Sequence, residues 1–178
     1  AAHYSAGPLY LAGAYERHND YNPAAQSVGA AGNYQGGNDS NWTLAAGYKF
    51  ANVFDLKGLY STSEYDVRIG QSSKVRGCAL YGHWSLGGPH TIHGQYGNLR
   101  DIKGNATVAT GPWAVPGPDT GANVWSLFYS YTMSKRTEVS VGITRLNNDN
   151  NATLSLGKAA STAGGEQQSL GLVVKHRF

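Results

Sequence analysis

The ten carboxy-terminal residues, Ser169-Leu-Gly-Leu-Val-Val-Lys-His-Arg-Phe178, alternate in character and end on an aromatic side chain. In an extended chain, successive side chains point to opposite faces. Leu170, Leu172, Val174, His176 and Phe178 therefore share one face, while Ser169, Gly171, Val173, Lys175 and Arg177 share the other. One stripe is mostly apolar and the other mostly small or charged, so the segment needs two different surroundings at once. A strand between a dry core and water meets that need, and so does a strand between hydrocarbon and a hydrated interior.

Seven further segments carry the same period of two. Near Pro8 to Arg17, Leu9, Leu11, Gly13 and Tyr15 oppose Tyr10, Ala12, Ala14 and Glu16. Next, Trp42, Leu44, Ala46, Tyr48 and Phe50 oppose Thr43, Ala45, Gly47 and Lys49. From Val53 to about Asp66, Phe54, Leu56, Gly58 and Tyr60 oppose Asp55, Lys57, Leu59 and Ser61. From about Lys74 to Leu86, Cys78, Leu80, Gly82, Trp84 and Leu86 oppose Arg76, Ala79, Tyr81 and His83, which requires a change of phase near Gly77. His90 to Asp101 sets Ile92, Gly94 and Tyr96 against His93, Gln95 and Gly97. Trp125, Leu127, Tyr129, Tyr131 and Met133 form a nearly continuous apolar stripe, and Val139, Val141 and Ile143 back onto Glu138, Ser140, Gly142 and Thr144. The pattern predicts an all-β chain of about eight antiparallel strands in a single domain over residues 1–178.

Composition bears on which medium lies on which side. Charged residues make up 14% of the chain, against about 25% in ordinary soluble domains. Low charge with a negative mean hydropathy suits a membrane barrel, in which half of every strand is polar. No run approaches the roughly 20 apolar residues of a membrane helix, so any crossing is made by strands. Aromatics at both ends of the Trp42–Phe50 stripe match the two interfacial girdles of such barrels. Cys78 is the single cysteine, which excludes an internal disulfide and leaves no thiolate pair for zinc; it reads as an apolar filler. The net charge of +3 is dispersed, without the basic block that nucleic-acid binding needs.

The connections alternate in length. Arg17 to Asn41, Arg68 to Ser73, Lys103 to Gly121 and Asn147 to Gln167 are long or medium, whereas Ala51-Asn52, Gly87-Gly-Pro89 and Ser134-Lys135-Arg136 are short. Membrane barrels have short periplasmic turns and longer external loops, so both ends of the chain are expected on the periplasmic side.

Three pieces of the chain resemble the general bacterial porin family, in particular the trimeric porins of beta-proteobacteria. Tyr129-Ser-Tyr-Thr-Met-Ser-Lys-Arg-Thr137 is similar to the strand, tight turn and next strand near the end of those porins, with Met133 where Leu recurs. Val174-Lys-His-Arg-Phe178 resembles their closing strand, and Asn41 to Tyr60 resembles their aromatic-rimmed hairpins. The resemblance covers what would be the carboxy-terminal half of a sixteen-stranded barrel. It implies a homotrimer in the outer membrane, in contact with lipid and lipopolysaccharide, and a diffusion channel for ions and small hydrophilic solutes. Neither the opening strands nor the external loop that folds into the pore has a counterpart here, so no selectivity residue of the family carries over.

Parity alone nominates the lining of such a pore: Glu16, Lys49, Asp55, Lys57, Arg76, Tyr81, His83, His93, Gln95, Glu138, Lys175 and Arg177. In this set Lys49, Lys57, Arg76, Lys175 and Arg177 outnumber Glu16, Asp55 and Glu138, which predicts a mild anion preference. The competing expectation is that Lys49, Lys175 and Arg177 sit at the periplasmic mouth, where salt screens them within about 8 Å. His83 and His93 could meet across the hairpin closed by Gly87-Gly88-Pro89, yet two imidazoles without a further ligand predict no metal site. No cofactor is expected. No nucleophile motif accompanies the histidines, so no enzyme is expected either. Leu9, Leu11, Trp42, Leu44, Leu80, Trp84, Trp125, Leu127, Val139, Val141, Leu170 and Leu172 are expected to face lipid.

Half of a wide wall encloses water, whereas eight strands closed on themselves fill their own interior. The inner faces carry no consistent set of paired charges sized to plug a narrow barrel, which favours the half-wall. The alternatives are a closed eight-stranded outer-membrane anchor or adhesin acting through its external loops, and a soluble lipocalin-like binding barrel.

Overall fold

The computed structural model describes residues 1–19, 37–51, 53–68, 70–110, 113–157 and 162–178. The strands are β1 (Ala2–Ala6), β2 (Leu9–Asn19), β3 (Asn38–Phe50), β4 (Phe54–Arg68), β5 (Gln71–Gly87), β6 (His90–Leu99), β7 (Lys103–Gly104), β8 (Ala122–Thr132), β9 (Thr137–Asn148) and β10 (Glu166–His176). They form one antiparallel sheet in chain order, apart from the two-residue β7, which pairs with β5 beyond the end of β6. Each of the eight expected segments is a strand. The register of β1 sets Ala2 against Gly13 and Ala6 against Leu9. The chain therefore starts beside the middle of β2, and of its two ends only the carboxy terminus lies at the short-turn side.

The turns follow local chemistry. Between β5 and β6, Gly87 (φ +97°) and Gly88 (φ +58°) adopt left-handed backbone that a side chain would oppose, and Pro89 follows. Between β8 and β9, the backbone N–H groups of Met133 and Ser134 both donate to the Thr137 carbonyl, at 2.9 and 3.1 Å. The connection between β4 and β5, expected to span Arg68 to Ser73, is tight instead, because the ladder continues to Arg68 and Gln71 around Gly70. The interior of the connection between β2 and β3 lies outside the described residues.

Cross-strand partners share a face, so the register sorts every side chain. One face carries Leu9, Leu11, Trp42, Leu44, Tyr48, Leu56, Tyr60, Leu80, Trp84, Leu127, Tyr129, Val141, Leu170 and Leu172. These side chains are open to the surroundings: Leu44 is 57% exposed, Trp84 50% and Val141 54%. Two bands of aromatic residues bound them. Toward the long connections lie Tyr15 and Trp42, with rings 4.6 Å apart, then Tyr60, Tyr96 and Trp125. Toward the short turns lie Tyr48, Phe50 and Phe54, with neighbouring rings 4.6 and 5.8 Å apart, then Trp84, Tyr129 and Tyr131. An apolar belt between two aromatic rims suits a hydrocarbon layer and its two interfaces.

Among the described residues no dry centre lies behind the belt. The buried apolar residues among those described are Val67, Val75, Ile102, Ala106, Ala122, Leu146 and Ala152, all toward the long-connection end. There the segment after β7 leans over the polar face, and Ala106 and Val108 pack against Val67 and Tyr65. Elsewhere the strands are held by their backbone ladders. A lysine in place of Leu44 is expected to cost about 2–4 kcal/mol of stability in lipid vesicles. Ala45→Lys, one residue along on the other face, should cost little. Urea unfolding of the vesicle-embedded protein measures both.

Candidate functional site

The polar face is assembled from aligned rows of partners. One row runs Lys49, Asp55, His83, His93, Phe128, Gly142, Gly171 across β3, β4, β5, β6, β8, β9 and β10. The next runs Gly47, Lys57, Tyr81, Gln95, Ser126, Thr144, Ser169. Both are fixed by backbone pairing, so the side chains stand on rigid elements.

Contacts within these rows are short and mixed in kind. The rings of His83 and His93 lie 5.0 Å apart. Nδ1 of His83 is 3.7 Å from Oδ2 of Asp55, and Nδ1 of His93 shares a hydrogen bond with the Tyr81 hydroxyl at 3.0 Å. The Lys57 ammonium lies 6.0 Å from the centre of the Tyr81 ring, at the edge of cation–π reach. Phe128 lies flat across two glycines. A Cβ on Gly142 would come within 2.4 Å of the Phe128 ring, and one on Gly171 within 3.3 Å.

Around this cluster the face is neutral and hydroxylated. Asn41 donates through Nδ2 to the hydroxyl of Ser63 at 2.6 Å. The hydroxyl pairs Ser126–Thr144 and Ser130–Ser140 are 2.9 and 2.7 Å apart. Such groups can hydrogen-bond water or a passing solute in either sense. Among the described residues no group of three or more His, Cys, Asp or Glu is placed to hold a metal ion.

Eleven of the twelve nominated residues share the polar face. Glu16 opposes Asn41 and bonds His18 at 3.0 Å. Glu138 stands opposite Lys175, and Arg177, just past β10 with the same parity, donates its backbone N–H to the Arg136 carbonyl. Arg76 is the correction. No change of phase occurs at Gly77: Arg76 pairs with Thr62, Gly77 with Ser61 and Cys78 with Tyr60. Its side chain therefore belongs to the face of Tyr60, Cys78 and Leu80.

Asp39 was missed. It opposes Tyr65 and His18 on the polar face and is buried. The alternation does continue back from Trp42 through Ser40 and Asn38, but an Asn- and Asp-rich stretch reads as a loop. With Arg76 removed and Asp39 added, the polar face carries Lys49, Lys57, Lys175 and Arg177 against Glu16, Asp39, Asp55 and Glu138. The excess of cations disappears.

An open antiparallel wall with an apolar girdled face and a hydroxylated face is the architecture of outer-membrane barrel proteins. Residues 1–151 match the family model described as Gram-negative porin, and the chain belongs to that family, whose place is the bacterial outer membrane. Among solved structures, an anion-selective porin from Comamonas acidovorans matches with a TM-score of 0.78 at 24% identity, covering 99% of this chain and 47% of its own. In-vitro folded OmpT, an outer membrane protein of Vibrio cholerae, matches with a TM-score of 0.65 at 13% identity, over 98% of this chain and 53% of its own. Its trimer form gives 0.63 at 12% identity, over 98% and 54%. The chain thus spans about half the length of these structures. No match was found among curated proteins.

Gly142→Val should destabilise the wall by about 1–3 kcal/mol, the usual range for overpacking. Phe128→Ala in the same chain should restore only part, because the Leu127 carbonyl oxygen also lies 2.5 Å from the added Cβ. Denaturation of the single and double variants in vesicles reads the difference.

Proposed function

We propose that this chain is part of a water-filled barrel through which ions and small hydrophilic solutes diffuse passively across the outer membrane. The observation that carries the reading is the pairing of the two faces: a girdled apolar belt on one side, and on the other a polar face of Ser, Thr, Asn and Gly with balanced charges and a cluster of Asp55, Lys57, Tyr81, His83 and His93. Such a face offers hydrogen bonds without holding any one solute tightly, as passage requires.

The wall is proposed to continue into further strands. Among the described residues β1 and β10 do not pair with each other, and unpaired strand edges are not tolerated in hydrocarbon. Eight of the strands, all but the short β1 and β7, have ten residues or more, and a wall completed by as many again has the sixteen-stranded size that encloses water. The same observation weighs against a small closed anchor, which needs β1 joined to β10. An assembly of three copies is proposed alongside, since one matched structure is described as a trimer form.

On selectivity, the balanced charges of the polar face support weak discrimination from this part of the wall. The anion preference expected from the sequence rested on an excess that included Arg76. A matched structure is described as anion-selective, so the sign is best decided by measurement. In planar bilayers, Lys57→Glu should move the reversal potential under a salt gradient toward cations. Arg76→Glu should leave it unchanged. A wild-type protein that inserts without conducting would remove the channel reading.

A further inference from the structure

His83 and His93 are direct partners in the pairing of β5 with β6, and their rings are engaged through the same atom. Nδ1 of His83 faces Oδ2 of Asp55 at 3.7 Å, and Nδ1 of His93 meets the Tyr81 hydroxyl at 3.0 Å. Among the described residues no hydrogen bond engages Nε2 of either ring. With the proton of each neutral ring on Nδ1, donated to that neighbour, the Nε2 lone pair remains as an acceptor. Histidines that ligate metals are oriented in this way, the second ring nitrogen held by a carboxylate or another acceptor.

The spacing fits one shared ion. An ion bound at about 2.0 Å from a ring nitrogen lies about 3.2 Å from the centre of that ring. Ring centres 5.0 Å apart then subtend about 100° at the ion, between the right angle of a square-planar centre and the wider angle of a tetrahedral one. Both rings stand on neighbouring strands of a continuous ladder, so little ordering is left to be done on binding.

The surroundings set the strength of such a site. Oδ1 of Asp55 is buried and has no hydrogen-bond partner, so the carboxylate beside His83 carries negative charge that a nearby cation would offset. Against it, Lys49 stands opposite Asp55 and Lys57 opposite Tyr81, and two ammonium groups limit the hold on a dication. The His83 side chain is 31% exposed, open to an ion arriving from water. No group of three or more His, Cys, Asp or Glu is placed as a closed centre among the described residues. The pair offers two ligands and leaves the other positions to water.

We infer that His83 and His93 together chelate a borderline divalent transition-metal ion of the Zn²⁺ or Cu²⁺ kind through their Nε2 atoms, as a reversible site on the polar face. Imidazole suits these ions, whereas Mg²⁺ and Ca²⁺ take oxygen ligands. Two histidines alone predicted no metal; the structure adds their orientation, which Asp55 and Tyr81 supply. The ion stands on the face along which solutes are proposed to pass, yet its capture needs the β5–β6 hairpin and not a conducting channel.

The test uses the untagged protein in detergent, titrated with Zn²⁺ or with Mg²⁺ and followed by isothermal calorimetry. Saturable uptake of a single Zn²⁺ per chain is expected, with no matching heat from Mg²⁺. His83→Ala and His93→Ala should each abolish that uptake, and Asp55→Asn should weaken it roughly tenfold, a loss that a merely structural pair of rings would not show. His3→Ala should leave it unchanged. The three site variants are read independently, so one that fails to fold leaves the other two to decide. Absence of saturable Zn²⁺ uptake, equal uptake of Mg²⁺, or undiminished binding in either histidine variant would overturn the site. The result stands apart from conductance, whose absence would count against the channel alone.

Discussion

Hydrocarbon offers no hydrogen bonds, and the sheet is organised around that deficit. Each strand of the meander gives its backbone groups to its neighbours, from the Leu9–Tyr48 pair of the second hairpin to the His176–Thr137 pair of the last. In water a sheet can leave an edge or a frayed end to solvent; in a membrane each unpaired group costs several kcal/mol. This requirement explains why buried apolar residues can be so few, among those described, and gathered away from the belt. The belt is held by its ladders, and Leu44, Leu80 and Val141 stand open on its apolar side.

The register follows from the same requirement. Once Lys49 is opposite Asp55 and His83 opposite His93, the rows across the polar face are set without any side chain choosing its partner. A one-residue slip would send His83, His93 and Lys57 toward lipid and Leu80 and Trp84 toward water, so the two faces reinforce the pairing that created them. Small residues refine the surface. Gly142 and Gly171 make room for one large ring, Phe128, which covers two strands at once.

Much of this was legible in the chain. Alternation located the strands because hydrocarbon on one side and water on the other enforce a period of two, as at Trp42–Phe50. The meeting of His83 and His93 was legible too, since a short Gly-Gly-Pro turn leaves the register little freedom. Three features were not. β1 is short, and five residues such as Ala2 to Ala6 carry too little contrast between faces. Asp39 was hidden by polar neighbours on both sides, because alternation is silent where both faces are wet. Arg76 failed for a related reason: a charged residue was assumed to point away from lipid, yet beyond the aromatic rim either face meets water or headgroups. Parity is informative only between the rims.

The packing of Ala106 and Val108 on Val67 and Tyr65 has a consequence for traffic through the proposed channel. That shelf overhangs the hydroxylated side at its outer end, and it is built from aliphatic and aromatic bulk in mutual contact. Along the polar face the ledge lies at the long-connection end, and the imidazoles of His83 and His93 lie toward the short turns. Were the proposed channel present, this ledge would narrow its threshold by bulk, so that girth would be sampled there ahead of charge.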